Sequence, residues 1–200
     1  MAINKEELIS ENTALYVDQV RKSYGKKRVL KNMSFSIEKG KIVGFLGPNG
    51  CGKTTLVKLI NGLMPVTDGV ILVGGKKIGK ETKAMVSYLP ERTYLNNWMK
   101  VKDILDFFED LFEDFDRQRA EQMFSDMKIG LNEKLKNLSK GTKEKVQLVL
   151  VMSRQADLYI LDEPIAGVDP AARSYIMKTI LTNLPEESSL LILSLIHISE

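Results

Sequence analysis

One stretch decides the fold of this chain: residues 42–55, which read IVGFLGPNGCGKTT. Its first five residues, 42–46, form a nearly continuous apolar run, which is typical of a buried parallel strand. Residues 47–54 match the pattern GxxxxGK[ST] in full. The residues after the loop predict a helix over about 52–63. A strand, a glycine-rich loop and a helix therefore follow one another in the order that this pattern requires.

The loop is predicted to bind phosphate. Glycines let the backbone wrap closely around an anion, so that successive N–H groups point at its oxygens. The N-terminus of the helix adds about half a positive charge. Lys53 would reach the β- and γ-phosphates, and the hydroxyl of Thr54 would ligate Mg²⁺. The alternative is a glycine-rich turn that binds nothing. The candidate phosphate-binding residues are Gly47, Asn49, Gly50, Cys51, Gly52, Lys53, Thr54 and Thr55.

The composition is that of an ordinary globular protein: 200 residues, 44% hydrophobic and 28% charged, with a net charge of +3. It excludes a disordered chain, a collagen-like repeat and a disulfide scaffold, and the small net charge does not favour a nucleic-acid partner. The single cysteine, Cys51, fits a reducing compartment. No apolar stretch is long enough to span a bilayer. We therefore expect a cytoplasmic protein.

Cys51 has two interpretations. A thiol inside the loop, next to a helix N-terminus, can be reactive. The simpler interpretation is that this position tolerates a small side chain, and we favour it.

The order of elements predicts an α/β fold with a mainly parallel sheet. Strands are predicted at 14–20, 33–37, 42–46, 85–89, 158–161 and 190–193, with a hairpin at 69–78 that turns at Gly74 and Gly75. Helices are predicted from residue 103, at 117–127, at 142–154 and at 171–184. The helix that starts at residue 103 is amphipathic, with an acidic outer face. We expect its apolar residues to pack in the core: Ile104, Leu105, Phe107, Phe108, Leu111, Phe112 and Phe115.

A second motif adds carboxylates. The apolar strand at 158–161 ends in Asp162 and Glu163, and in open α/β sheets ligands bind at the carboxyl ends of the strands. Asp162 is suited to hold Mg²⁺, and Glu163 is suited to orient or deprotonate an attacking water. The alternative is a solvated acidic turn, which becomes less favoured once the phosphate loop is present.

Further motifs resemble those of the ATP-binding cassette (ABC) family. Residues 138–142, LSKGT, are similar to its LSGGQ signature, with Lys140 and Thr142 in place of the usual Gly and Gln. Tyr24 matches the aromatic residue that stacks on adenine, and Asp169 matches the D-loop. Residues 88–91, YLPE, match the Q-loop, where Glu91 replaces the usual Gln but keeps an oxygen acceptor for metal or water.

The resemblance implies a fold and a function. The fold is a P-loop NTPase (RecA-like) core with an antiparallel β subdomain, made of residues 14–91 and 156–193, and a helical subdomain insertion at 92–155. The implied function is ATP hydrolysis with Mg²⁺. Lys53 and Glu163 would be catalytic, and the metal-binding residues would be Thr54, Glu91 and Asp162. Ser139 and Gly141 would contact the γ-phosphate held by another subunit. The motif therefore implies a head-to-tail homodimer or heterodimer with two ATP molecules at the interface.

The resemblance also implies partners. ATP-dependent dimerisation would drive separate transmembrane permease subunits, which residues 94–100 would face, with Trp98 either in that contact or packed within the domain. The protein would then be peripheral at the inner face of the cell membrane. It looks most like the subunits of drug and antibiotic-resistance exporters, and no nucleic acid is expected. The alternatives are a nucleotide-binding regulatory module, a non-transport ABC ATPase, and a P-loop kinase, which would not explain residues 138–141 or Asp169.

The family also uses a histidine two residues after a serine that follows the last catalytic strand. Here that position is Ile196, and His197 is one place late, which on a strand turns a side chain to the opposite face. Residues 193–200 resemble a translated sequencing adapter. We therefore expect residues 194–200 to be a non-native tail, the chain to be truncated at its last catalytic strand, and ATP turnover by the chain as written to be poor.

Overall fold

The computed structural model describes residues 11–164 and 170–195, and its contacts group them into two compact units. The first unit comprises the chain up to Tyr88, then Ala156–Glu163, and then the chain from Glu186. The second comprises Leu89–Gln155 and Pro164–Pro185. The predicted division placed residues 156–193 together in the core, whereas the contacts place Pro164 and the described residues 170–185 with the second unit.

An antiparallel sheet forms one part of the first unit. Its strands are β1 (Thr13–Tyr24), β2 (Lys27–Glu38), β4 (Asp68–Val73) and β5 (Lys76–Lys77), in the order β2-β1-β4-β5. The hairpin that turns at Gly74 and Gly75 is confirmed, with Val73 paired to Lys76. Strands β1 and β2 are longer than predicted, because backbone pairing continues through the basic residues on both sides of their turn.

The second sheet has the order β3-β8-β7-β6 and carries the site. Its strands are β3 (Ile42–Gly47), β6 (Val86–Leu89), β7 (Leu158–Asp162) and β8 (Ser189–Leu195). Strand β8 lies between β3 and β7 and is parallel to both. Every residue of β7 is buried. Parallel strands bring their carboxyl ends to one edge of a sheet, so the loop after β3 and the acids at the end of β7 meet at that edge.

The prediction that residues 42–46 form a buried strand is wrong in one respect. Strand β3 is parallel, as expected, but it is one of the two edge strands of the described sheet. Ile42 and Leu46 are 52% and 60% exposed, and Val43 and Phe45 on the other face pack against the core. A run of apolar residues indicates a strand that can be buried on both faces, but it does not show which strands flank it.

Two short helices complete the first unit: α1 (Lys53–Ile60), which directly follows the glycine-rich loop, and α2 (Lys80–Met85). The residues of α1 that reach the core are Leu56, Val57, Leu59 and Ile60. They belong to one cluster with residues of both sheets, including Leu15, Ile160 and Leu191. The packed face of α1 therefore fixes the position of the loop that precedes it.

The second unit is helical. Its helices are α3 (Val101–Leu111), α4 (Arg117–Asp126), α5 (Lys140–Met152) and α6 (Pro170–Asn183). Helix α6 is tied to this unit by contacts with α4 and α5: the guanidinium of Arg119 donates to the carbonyl of Asn183, and Lys145 lies 5.1 Å from the ring centroid of Tyr175. Within the described residues, no helix has both the length and the hydropathy needed to cross a bilayer.

Helix α3 is amphipathic, as predicted, but its apolar stripe is not all core. Ile104, Leu105 and Phe108 are buried, whereas Phe107 and Leu111 are exposed. The helix ends before Phe112, so the aromatic residues after it pack from the following turn, and the Phe108 and Phe115 rings lie 5.6 Å apart. Helical spacing alone includes residues at the border of the apolar stripe that the packed face does not cover.

Candidate nucleotide-binding site

The glycine-rich loop ends in a tight approach to its neighbours. Gly52 has φ +104° and is the N-cap of α1. A Cβ atom there would lie 2.6 Å from Leu30 Cδ2 and 3.3 Å from the carbonyl oxygen of Val29. The backbone turns sharply into the helix, and the first N–H groups of α1 have no acceptor within the helix. Those N–H groups and the helix dipole make this end of α1 suitable for an anion.

Lys53 is buried beneath the loop, with its side chain 7% exposed. Its ammonium donates to the carbonyl oxygens of Gly47 at 2.6 Å and Pro48 at 3.3 Å. The same nitrogen lies 3.8 Å from Oε1 of Glu163, whose side chain is 9% exposed. The sequence predicted both residues as site residues, and the structure brings them together in one ion pair.

The two carboxylates lie at the end of β7. Asp162 is the last residue of the strand, and it is 2% exposed. Glu163 follows it with φ +55°, a left-handed conformation that is strained for a residue with a side chain. Its N–H donates to the carbonyl of Leu193 in the neighbouring strand β8 at 3.0 Å. That bond anchors the strained residue to β8. Since β8 is also paired with β3, and β3 leads into the glycine-rich loop, the bond connects Glu163 to the strand that carries the loop.

The donor set fits Mg²⁺ with few protein ligands. The hydroxyl of Thr54 lies in the first turn of α1, and Asp162 supplies a buried carboxylate from the same unit. Oxygen donors of this kind suit Mg²⁺, which retains several waters and commonly takes the rest of its ligands from substrate phosphates. The described part of the chain contains no cluster of three metal-ligating carboxylate, histidine or cysteine side chains.

Tyr24 and Cys51 lie in the same unit. Tyr24 is half exposed at the end of β1, and its hydroxyl donates to the sulfur of Met64 at 3.1 Å. This leaves part of the ring accessible. Cys51 is exposed, and its Sγ would lie 2.8 Å from a Cβ atom added at Gly47. Gly47 therefore makes room for the side chain at position 51.

The remaining predicted site residues belong to the second unit or lie outside the residues that the structure describes. Ser139 is the N-cap of α5, and its Oγ accepts from the N–H of Thr142 at 3.1 Å. A Cβ atom at Gly141 would meet nothing within 4 Å, so this helix N-terminus is open. Glu91 is exposed in the segment after β6. Asp169, Ile196 and His197 lie outside the described residues.

The segment after Glu91 exposes aromatic side chains. Trp98 is 69% exposed, and half of the surface of Tyr94 is exposed. Desolvation of the phenol nevertheless raises the pKa of Tyr94 to about 12, against the opposing charge of Arg154. The prediction left two options for Trp98, and its high exposure within its own unit argues against internal packing.

Sequence reasoning missed the partners of Lys53. It assigned that side chain to phosphate and did not identify the carbonyls of Gly47 and Pro48 as its acceptors. It also missed Leu193, whose carbonyl holds the backbone of Glu163. No sequence signal could have identified these groups, because every residue type presents the same backbone carbonyl.

Comparisons with known proteins identify the family. Residues 30–166 match the family model described as ABC transporter. The chain is 34% identical over 83% of its length to the linearmycin resistance ATP-binding protein LnrL of Bacillus subtilis, covering 56% of that protein. It is also 34% identical over 86% of its length to the manganese transport system ATP-binding protein MntB of Bacillus subtilis, covering 72% of it. An uncharacterized ABC transporter ATP-binding protein of Methanocaldococcus jannaschii is 34% identical over 89% of the chain, which covers 66% of that protein.

The chain is also similar to solved structures of ABC transporter ATP-binding proteins. The chain superimposes with a TM-score of 0.79 and 31% identity on a Pyrococcus furiosus protein described as an ABC transporter ATP-binding protein, covering 92% of each chain. An ATP-binding subunit of an ABC transporter gives a TM-score of 0.81 at 28% identity, over 92% of this chain and 80% of that one. The chain spans between about half and two thirds of the length of the first curated relatives. It belongs to the ABC transporter family and has the P-loop α/β fold of the family's ATP-binding proteins.

Proposed function

We propose that this chain is the ATP-binding and ATP-hydrolysing subunit of an ABC transporter. The observation that carries the proposal is the convergence of Lys53 and Glu163 at one edge of the parallel sheet, 3.8 Å apart and both buried. A cation for phosphate and a carboxylate for water are the two groups that phosphoanhydride hydrolysis needs at one place. Family membership supports the same assignment.

Each residue of the site has a distinct role in the proposed reaction. The N–H groups at the start of α1 and the ammonium of Lys53 bind the phosphates. Thr54 and Asp162 would hold Mg²⁺, which when bound neutralises charge on the phosphate oxygens. Glu163 orients the attacking water and accepts its proton, a role that typically contributes on the order of 10²- to 10⁴-fold in rate. Tyr24 presents an accessible ring on which adenine can stack.

The proposed function also requires contacts with other subunits. Ser139 and Gly141 lie at the open N-terminus of α5, where they would contact the γ-phosphate bound by a second ATPase subunit. Trp98 and Tyr94 present an exposed aromatic surface that suits a permease subunit. The protein would then lie against the inner face of the membrane through that permease. The relatives' names differ, since one refers to linearmycin resistance and another to manganese transport, and no cargo of this chain follows from them.

The test is loss of nucleotide binding in Lys53→Ala, measured by calorimetric titration with ATP. We expect the affinity for ATP to fall by roughly 100-fold, because one desolvated charge-assisted contact to phosphate contributes about 1.5–3 kcal/mol. Lys58→Ala is the matched control, since Lys58 is an exposed lysine on the same helix, and it should bind ATP as the wild type does. Wild-type affinity in a folded Lys53→Ala variant would remove the assignment.

A further inference from the structure

The ammonium of Lys53 contacts oxygens of the protein itself: it donates two hydrogen bonds, and a carboxylate lies within ion-pair distance. It has three hydrogens to donate. In the structure it faces three oxygens: the carbonyls of Gly47 and Pro48 and a carboxylate oxygen of Glu163. Two of these partners belong to the loop that would hold the phosphates. The cation that must reach a phosphate is thus bound to the protein itself.

The carboxylate that faces Lys53 is held there by its backbone. Glu163 adopts φ +55°, and its N–H is bonded to the carbonyl of Leu193. A left-handed conformation at a residue with a side chain costs of order 1–2 kcal/mol, so it persists only where the surroundings impose it. The ion pair is also shielded from solvent, since both side chains are at least nine-tenths buried. Salt screens a pair of this kind much less than it screens a surface pair.

We propose that this contact is autoinhibitory: Glu163 and the loop carbonyls hold Lys53 in a self-paired state that a nucleotide must displace. This inference rests on the proposed function, because it concerns regulation of the same site. The apparent affinity for a nucleotide equals the intrinsic affinity multiplied by the fraction of molecules in which Lys53 is already released. Glu163 therefore sets nucleotide affinity in addition to its role in hydrolysis, and weakening its contact strengthens binding.

A simpler effect must be separated from this one. Removing the charge of Glu163 also removes its repulsion of an anionic nucleotide, and that alone would strengthen binding. Glu163→Asp distinguishes the two effects, because it keeps the charge and shortens the side chain by one methylene, which draws the carboxylate away from Lys53. Glu163→Gln removes the charge and keeps the length.

The experiment is calorimetric titration of the 200-residue chain with ADP. ADP has no γ-phosphate, so neither hydrolysis nor dimerisation around a γ-phosphate contributes to the signal. We expect Glu163→Gln and Glu163→Asp each to bind ADP roughly three- to tenfold more tightly than the wild type, because the 3.8 Å contact lies beyond hydrogen-bond distance and is a weak one. Asp157→Asn is the control, since it removes an exposed acid just before β7, at the opposite end of the strand, and it should leave ADP affinity unchanged.

Three other outcomes would overturn the inference, and one of them would also contradict the proposed function. Wild-type ADP affinity in both Glu163 variants overturns the inference and leaves the proposed function standing. A gain in Glu163→Gln without a gain in Glu163→Asp also overturns it, because charge repulsion then accounts for the whole effect. Absence of ADP binding in the folded wild type contradicts the proposed function, and the inference fails with it. A thermal melt of each variant without nucleotide verifies that it is folded.

Discussion

Gly52 meets two demands that no other residue can meet. Its φ of +104° lies in the left-handed region, and a Cβ atom would lie 2.6 Å from the side chain of Leu30. Gly50, two residues earlier, also has a positive φ, +78°, but a Cβ atom there would meet nothing within 4 Å. A comparison of Gly52 with Gly50 therefore distinguishes the effect of backbone strain from the effect of steric conflict within a single loop.

We predict that Gly52→Ala destabilises the protein by about 2–4 kcal/mol and that Gly50→Ala does so by about 1–2 kcal/mol. Both substitutions force an alanine into a left-handed conformation, and Gly52→Ala adds the cost of overpacking against a buried leucine. Urea unfolding followed by circular dichroism measures both values. Equal losses of stability in the two variants would show that the close approach to Leu30 relaxes without cost.

Helix α5 begins at a residue with two possible roles. Ser139 accepts a hydrogen bond from the N–H of Thr142, as an N-cap does, and the family resemblance assigns it a phosphate contact as well. Capping is also offered by asparagine. A hydroxyl donated to a phosphate is not reproduced by that side chain in the same geometry.

We predict that Ser139→Ala lowers the free energy of unfolding by about 1 kcal/mol, because the cap bond is lost. Ser139→Asn should restore most of that stability. If Ser139 also contacts phosphate, ATP turnover will be reduced in both variants, and stability and activity will separate in Ser139→Asn. Full turnover in Ser139→Asn would limit the residue to its structural role. Thermal unfolding and phosphate release are the two measurements.

The elements were predictable from sequence to different degrees. The strand, loop and helix around Lys53 were confirmed because local signals at each step agree: an apolar run, glycines and helical spacing. The exposure of Leu46 could not be predicted, since it depends on which strand lies next to β3. The exposure of Phe107 has a similar cause, because only packing decides how much of an apolar stripe is covered.

For the site, residue types were predictable and their mutual geometry was not. The motifs nominated Lys53 and Glu163 separately, 110 positions apart in the sequence. Their contact depends on the place of β8 between β3 and β7 and on the left-handed backbone of Glu163. Strand order and backbone conformation at one residue are set by tertiary packing, which a local pattern does not encode.

At the scale of the whole molecule, the predicted nucleotide contacts are divided between two compact units. The glycine-rich loop, Asp162 and Glu163 belong to the first unit, and Ser139 and Gly141 belong to the second. The family resemblance assigns the second set to an ATP molecule bound by another subunit. Under the proposed function, each molecule would offer one half of each of two composite sites, and a head-to-tail dimer would complete both.

We therefore predict that Glu163→Gln forms a dimer in the presence of ATP and Mg²⁺ and remains monomeric with ADP. Without the carboxylate that accepts a proton from water, bound ATP persists and its γ-phosphate continues to bridge the two subunits. Light scattering coupled to size-exclusion chromatography measures the mass directly. The double variant Glu163→Gln with Lys53→Ala should remain monomeric with ATP, because it lacks the phosphate contact that holds the nucleotide. A monomer in the single variant at saturating ATP would contradict the composite site, and a dimer in the double variant would show that association does not depend on bound nucleotide.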